Sequence, residues 1–214
     1  MKQKEMELGE HSSLALPNLY EIKQDQVENA KVFSTRLVAL DFLVPKNIKY
    51  LEIGVLCGDY SEQVIKRKNP SSAILLDAYG QFDYSKVDSR ITKDTHLDFV
   101  KNRFLAYDNV EILNGRSEKV LPIINRKFDY IYIDANHSYE FVLKDLINSH
   151  SMLSEDGIIG LNDYMAIGHN DGEDYEVIYA VNEFLHIYPN FEVVGFAMNK
   201  DMYADIYLKA KVMV

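Results

Sequence analysis

Five short apolar runs, at residues 50–53, 73–76, 110–113, 130–133 and 158–161, recur along the chain. Between them lie longer stretches, over 61–67, 97–106 and 139–153, in which apolar residues return at helical spacing. Strands alternating with helices predict right-handed crossovers and an α/β fold with a doubly wound, mostly parallel sheet. The tail breaks this rhythm. Residues 191–197 and 204–209 flank the short connection Met198-Asn-Lys-Asp-Met, which predicts a C-terminal antiparallel hairpin. Ahead of the first run, Val27, Ala30, Phe33, Leu37, Leu40 and Leu43 fall three or four positions apart, which predicts a helix over 27–43 that Pro45 ends.

The chain has 214 residues, 47% of them hydrophobic, and no internal repeat or low-complexity tract marks a boundary. A single domain over 1–214 is expected, with 1–46 as a helical accessory layer and 47–214 as the core that carries the alternating strands and helices. A chain of this length buries roughly 70% of its unfolded surface, so neither disulfides nor a structural metal is needed. Cys57 is the only cysteine, which fits a reducing compartment. With no apolar run near the ~20 residues of a membrane span and no signal-peptide core, the expectation is a cytoplasmic protein without a membrane partner. The net charge of −10 argues against a nucleic-acid partner, which calls for a basic face. That charge is unevenly spread: between Asp145 and Asn199 there are ten acids and no Lys or Arg, and the remainder balances. An acidic side attracts cations and disfavours phosphorylated acceptors, or simply keeps the surface soluble.

In an open parallel sheet, ligands bind beyond the carboxyl ends of the strands. The first run leads into Glu52-Ile-Gly54-Val-Leu-Cys-Gly58-Asp-Tyr-Ser61, where two glycines permit a sharp turn and Ser61 is placed to cap the next helix. Leu56 stands where a dinucleotide fingerprint wants its middle glycine, which weighs against a nicotinamide-dependent oxidoreductase on the same kind of sheet. The second run ends at Asp77, 25 positions beyond Glu52, suited either to ribose hydroxyls or to capping a loop. The third delivers Asn114-Gly115-Arg116-Ser117, whose polar groups suit a heterocycle edge. The fourth ends in Asp134-Ala-Asn136-His137, and the fifth in Asn162-Asp163-Tyr164. Neighbouring strand ends lie ~5 Å apart, so Asp134, Asn162 and Asp163 are expected to converge as oxygen ligands for Mg²⁺ or Mn²⁺, unless the aspartates only cap helices. His137, with its near-neutral chemistry, is the candidate general base, a solvated turn histidine being the alternative.

From about residue 50 to 209 these motifs resemble class I S-adenosylmethionine-dependent methyltransferases. The likeness is strongest to the small metal-dependent O-methyltransferases of catechol and of macrolide sugars. It is carried by Glu52-x-Gly54-x-x-x-Gly58, by Ile133-Asp134-Ala-Asn-His137-Ser-Tyr139-Glu140 with Lys144-Asp145-Leu146, and by Gly157-Ile-Ile-x-x-Asn162-Asp163-Tyr164. The resemblance implies that Glu52, Gly54 and Gly58 contact the amino-acid end of S-adenosylmethionine, that Asp77 holds its ribose, and that Arg116 and Ser117 border its adenine. It also implies a divalent metal on Asp134, Asn162 and Asp163, beside the cofactor, with His137 as base. No lysine stands between Asp134 and Lys144, which favours the histidine branch, and Asp59 separates Gly58 from Tyr60 where catechol-type members run Gly-Tyr. The implied activity is metal-assisted O-methylation of a vicinal diol on a sugar or other small polyol. A non-catalytic cofactor-binding protein is the alternative, and a homo-oligomer is left open. Acceptor choice is expected to lie in the N-terminal layer and in a lid over 164–176.

Overall fold

The computed structural model describes residues 19–166, 175–198 and 204–211. Much of the expected lid, including His169, and the hairpin connection at 199–203 lie outside the described residues. Among the described residues one eight-stranded sheet runs in the order β1-β7-β8-β6-β5-β2-β3-β4. The strands are β1 (Lys31–Phe33), β2 (Lys49–Ile53), β3 (Ser72–Asp77), β4 (Val110–Asn114), β5 (Phe128–Ile133), β6 (Leu153–Leu161), β7 (Phe191–Met198) and β8 (Ala204–Ala210). Only β8 opposes its neighbours, pairing antiparallel with both β6 and β7; every other pairing is parallel. The α/β architecture with its C-terminal antiparallel hairpin is therefore as the sequence predicts.

Alternate residues of each strand enter different layers, as a two-residue side-chain period requires. Leu51, Ile53, Ile131 and Ile133 pack with Val142 and Leu146 of α5 (Tyr139–Met152) and with Val181 and Phe184 of α6 (Val177–Ile187). On the other face Tyr50, Tyr130, Tyr132 and Tyr207 meet α1 (Arg36–Leu43), α2 (Asp59–Lys68) and α3 (His96–Phe104) through Leu40, Val64, Ile65, Val100 and Phe104. A short helix, α4 (Ser117–Val120), follows β4. Each fully buried aliphatic or aromatic side chain contributes about 1.5–3 kcal/mol. Among the described residues no helix is long and apolar enough to cross a membrane.

The N-terminal layer differs from the expected helix over 27–43. Only Arg36–Leu43 is helical, and Lys31–Phe33 forms an edge strand paired with Gly195–Ala197. Gly195 explains the choice: a Cβ there would lie 2.7 Å from the Phe33 ring, so the missing side chain is the seat into which Phe33 packs. Thr35 then starts α1, its hydroxyl accepting a hydrogen bond from Val38 N at 3.2 Å.

Candidate active site

β2 lies between β3 and β5, so the strand order reverses beside it, and the carboxyl ends of β2 and β5 are where a sheet of this kind forms its ligand crevice. The chain is tightly tied there. Gly54 N donates to Leu76 O, Asp134 N to Ile53 O and Asn162 N to Ile133 O, at 2.8–3.0 Å. Gly54 (φ +87°) passes so close to β5 that a Cβ would sit 2.1 Å from Asp134 O. Gly58 (φ +77°) is the N-cap of α2 and offers no side-chain cap, so the helix starts at Asp59 and the expected cap, Ser61, lies inside the first turn instead. The amino end of this ten-residue helix thus faces the crevice with backbone amides, a setting that favours a carboxylate.

Asp77 braces this turn. Its Oδ2 accepts hydrogen bonds from Val55 N and Leu56 N, both at 2.8 Å, which holds Leu56 in a left-handed conformation (φ +49°). Oδ1 has no hydrogen bond among the described residues, so one oxygen caps the loop and the other stays available to a ribose. Asp59 points away, toward Arg103 at 2.6 Å and toward Arg90, and does not enter the turn. Glu52 is only 2% exposed. Its carboxyl accepts from Tyr50 Oη at 2.6 Å, and burial pushes it up to about 8, partly offset by Ser61 and Tyr50. The structure thus sets Glu52 and Ser61 beneath the turn rather than on its open surface. At the end of β4, Arg116 pairs with Glu118 at 2.6 Å and lies over the Phe141 ring, while Ser117 opens α4 beside the buried Asp145.

The ends of β5 and β6 bring Asp134, His137, Asn162 and Asp163 together. His137 Nε2 is 3.5 Å from Asp134 Oδ1 and 3.8 Å from Asp163 Oδ2, and its ring stacks on Tyr175 at 4.6 Å between centroids. Its backbone O accepts from Glu176 N at 2.9 Å, so the histidine is fixed on two sides. Asp163, 7% exposed and in a left-handed conformation (φ +53°), is pushed up to about 7 by burial and by Asp134, opposed by His137 and Arg36.

Arg36 escapes sequence reading altogether. From the first position of α1 its Nη2 donates to Asn162 Oδ1 at 2.6 Å and pairs with Asp205 Oδ1 at 3.4 Å. Burial works against this charge, and Tyr132, Asp205 and Asp134 outweigh it, so its pKa is raised. A guanidinium only donates, so the Asn162 oxygen must face Arg36 and its amide nitrogen must face Asp134, to which it donates at 3.0 Å. The expected three-oxygen metal set is therefore not presented: Asn162 already serves a cation with its oxygen and turns a donor toward Asp134. Among the described residues no group of three or more His, Cys, Asp and Glu is arranged to hold a metal ion.

No curated protein sequence matches the chain. Solved structures do resemble it, at identities that establish fold alone. An O-methyltransferase from Bacillus cereus in complex with SAH is 17% identical, with a TM-score of 0.60 over 82% of this chain and 78% of that one. The O-methyltransferase TomG from Streptomyces achromogenes, in complex with SAM, is 14% identical, with a TM-score of 0.61 over 82% and 78%. A putative rRNA-methylase from Clostridium thermocellum is 12% identical, with a TM-score of 0.61 over 83% and 94%. A family model described as a methyltransferase domain matches residues 51–164, from β2 through the Asn162–Asp163 strand end, and so takes in the glycine turn, Asp77, Asp134 and His137. The chain belongs to this methyltransferase domain family and is an S-adenosylmethionine-dependent methyltransferase.

Proposed function

We propose that the chain methylates a hydroxyl of a small acceptor, a sugar or other polyol bearing a vicinal diol, with His137 as general base. The observation that carries this is His137 Nε2, 3.5 Å from Asp134 and 3.8 Å from Asp163 at the strand ends next to the Gly54 turn. When bound, S-adenosylmethionine supplies a sulfonium-activated methyl group, whose carbon–sulfur bond breaks with its electron pair to sulfur as the acceptor oxygen takes the carbon. The turn from Gly54 to Gly58 would hold its amino-acid end, Asp77 Oδ1 its ribose, and the 115–117 segment its adenine. His137 receives the hydroxyl proton, and the two aspartates stabilise the resulting imidazolium. The fixed ring and the crowded strand ends align the acceptor, which is the main contribution left for a protein when the methyl donor arrives activated. Two O-methyltransferase folds among the structural neighbours are in keeping with this acceptor chemistry. A small acceptor also suits the net charge of −10 better than a nucleic acid does. The divalent metal of the sequence reading has no step here, because Asn162 is engaged by Arg36.

The test is formation of SAH and of a methyl ether, by mass spectrometry, across a panel of sugars and diols. His137→Gln is expected to lower kcat about 10²–10⁴-fold while leaving cofactor affinity unchanged. Full turnover by that variant, or methylation on nitrogen or a carboxylate only, would overturn the reading. Absence of turnover on every sugar and diol would overturn the reading as well.

A further inference from the structure

Arg36 comes from outside the segment that carries the family match, yet its guanidinium sits among the strand-end side chains. Among the described residues both of its polar contacts are made through Nη2, to Asn162 and Asp205. Nε and Nη1 donate to none of the described residues, and 26% of the side chain is exposed. The guanidinium carbon lies 5.7 Å from the centre of the Tyr60 ring, which limits its movement on one side. Three N–H donors therefore remain on a fixed planar cation, one asparagine away from Asp134 and hence from His137.

We infer that Arg36 is the acceptor-binding cation of this site: its remaining donors hold the oxygen next to the one being methylated, in the role a divalent metal would otherwise fill. This rests on the hydroxyl-acceptor reading above. Donation to the second oxygen of a vicinal diol fixes the rotation of the first toward the cofactor, and the positive charge favours removal of its proton by His137. A second cation beside Arg36 would face like-charge repulsion at short range and would find the Asn162 oxygen occupied. The substrate class is accordingly a neutral diol rather than a metal chelate, and transfer proceeds without added metal.

Two measurements decide it. In a Mn²⁺ titration followed by electron paramagnetic resonance, wild-type protein is expected to leave the free-ion signal unchanged. Arg36→Met, which removes the cation but keeps the carboxylates, is expected to lower it. Saturable binding of one ion by the wild type, lost in Asp134→Asn, would overturn the inference. In kinetics, Arg36→Lys keeps a positive charge for Asp205 but not the fork. It is expected to raise the acceptor KM at least 10-fold, with S-adenosylmethionine Kd within 2-fold of wild type and wild-type turnover indifferent to EDTA. An unchanged acceptor KM in a variant that still binds the cofactor would refute it. Should no diol be methylated, the hydroxyl reading falls, and the Mn²⁺ titration still decides for or against Arg36 as the cation of the site.

Discussion

Asp145 of α5 is 1% exposed, and among the described residues neither carboxylate oxygen lies in hydrogen-bonding geometry with a donor. Burial pushes its pKa from 3.8 up to about 7, with Ser117 offsetting and Glu118 adding to the shift. A carboxyl raised in the folded state binds more protons folded than unfolded. Its stabilising effect is therefore present at low pH and is lost as pH rises from about 4 to above 7. Each pH unit across that window is worth about 1.4 kcal/mol, so the ionised form costs on the order of 4 kcal/mol, of which roughly 3 kcal/mol falls between pH 5 and 8.5. Asp145→Asn removes the charge at similar volume. Urea denaturation of both proteins at pH 5 and pH 8.5 isolates this group, because other titrating carboxyls cancel in the difference. The variant is expected to gain about 3 kcal/mol on wild type between the two conditions. A difference that stays flat to within about 0.5 kcal/mol would show that Asp145 is not the buried, charge-averse group the structure describes.

Two further perturbations probe the turn from Gly54 to Gly58. Gly54→Ala places a methyl group 2.1 Å from Asp134 O and 2.6 Å from Ala135 N, both backbone atoms, in a residue with positive φ. The conformation alone costs about 1–2 kcal/mol, and relief of the clash displaces Asp134. Calorimetric titration with S-adenosylmethionine is expected to show at least a 10-fold loss of affinity, and wild-type affinity would contradict the close crossing. Asp77→Ala leaves the amides of Val55 and Leu56 without their acceptor, at about 1–3 kcal/mol each if they stay buried. A 10- to 100-fold weaker cofactor Kd with partial recovery in Asp77→Asn is the expected pattern, since the amide oxygen can still brace the turn. Equal loss in both variants would mean that ribose contacts, not the brace, dominate.

The parallel core was legible because its signals are local. Runs such as Tyr130-Ile131-Tyr132-Ile133, short, aromatic and β-branched between helical stretches, read as strands covered on both faces, and the Gly54–Gly58 turn announces itself by spacing. Where pairing partners are distant, the sequence misleads. Val27, Ala30 and Phe33 have helical spacing, but Phe33 finds its seat over Gly195, more than 160 residues away, and no local pattern reports that. Arg36 was hidden for the same reason, since its meaning comes from Asn162 and Asp205, each supplied by another part of the sheet. That Asp134, Asp163 and His137 lie together was legible because they end neighbouring strands of one parallel sheet. What Asn162 does with its two polar atoms could be decided only once its neighbours were known.

The tyrosines link these findings. Tyr50, Tyr130, Tyr132 and Tyr207 are fully buried on one face of the sheet and meet Tyr60 of α2. A buried hydroxyl is costly unless it is hydrogen-bonded. Tyr60 and Tyr130 share a hydrogen bond at 2.8 Å, Tyr50 donates to Glu52 at 2.6 Å, and Tyr132 donates to Asp205 at 2.8 Å. Two of these bonds end on carboxyls directly below the crevice, where burial pushes Glu52 up to about 8 and Asp205 up to about 6. Glu52 is thereby held under the Gly54–Gly58 turn, and Asp205, fixed by Tyr132, anchors Arg36 from below while Asn162 holds it from the side. An apolar isostere at these strand positions would pack as well. It would take from Glu52 the Tyr50 hydroxyl and from Asp205 the hydroxyls of Tyr132 and Tyr207, and so loosen one of the two groups that hold the guanidinium; the hydroxyls are best understood as supports that help give the cation its place at the strand ends.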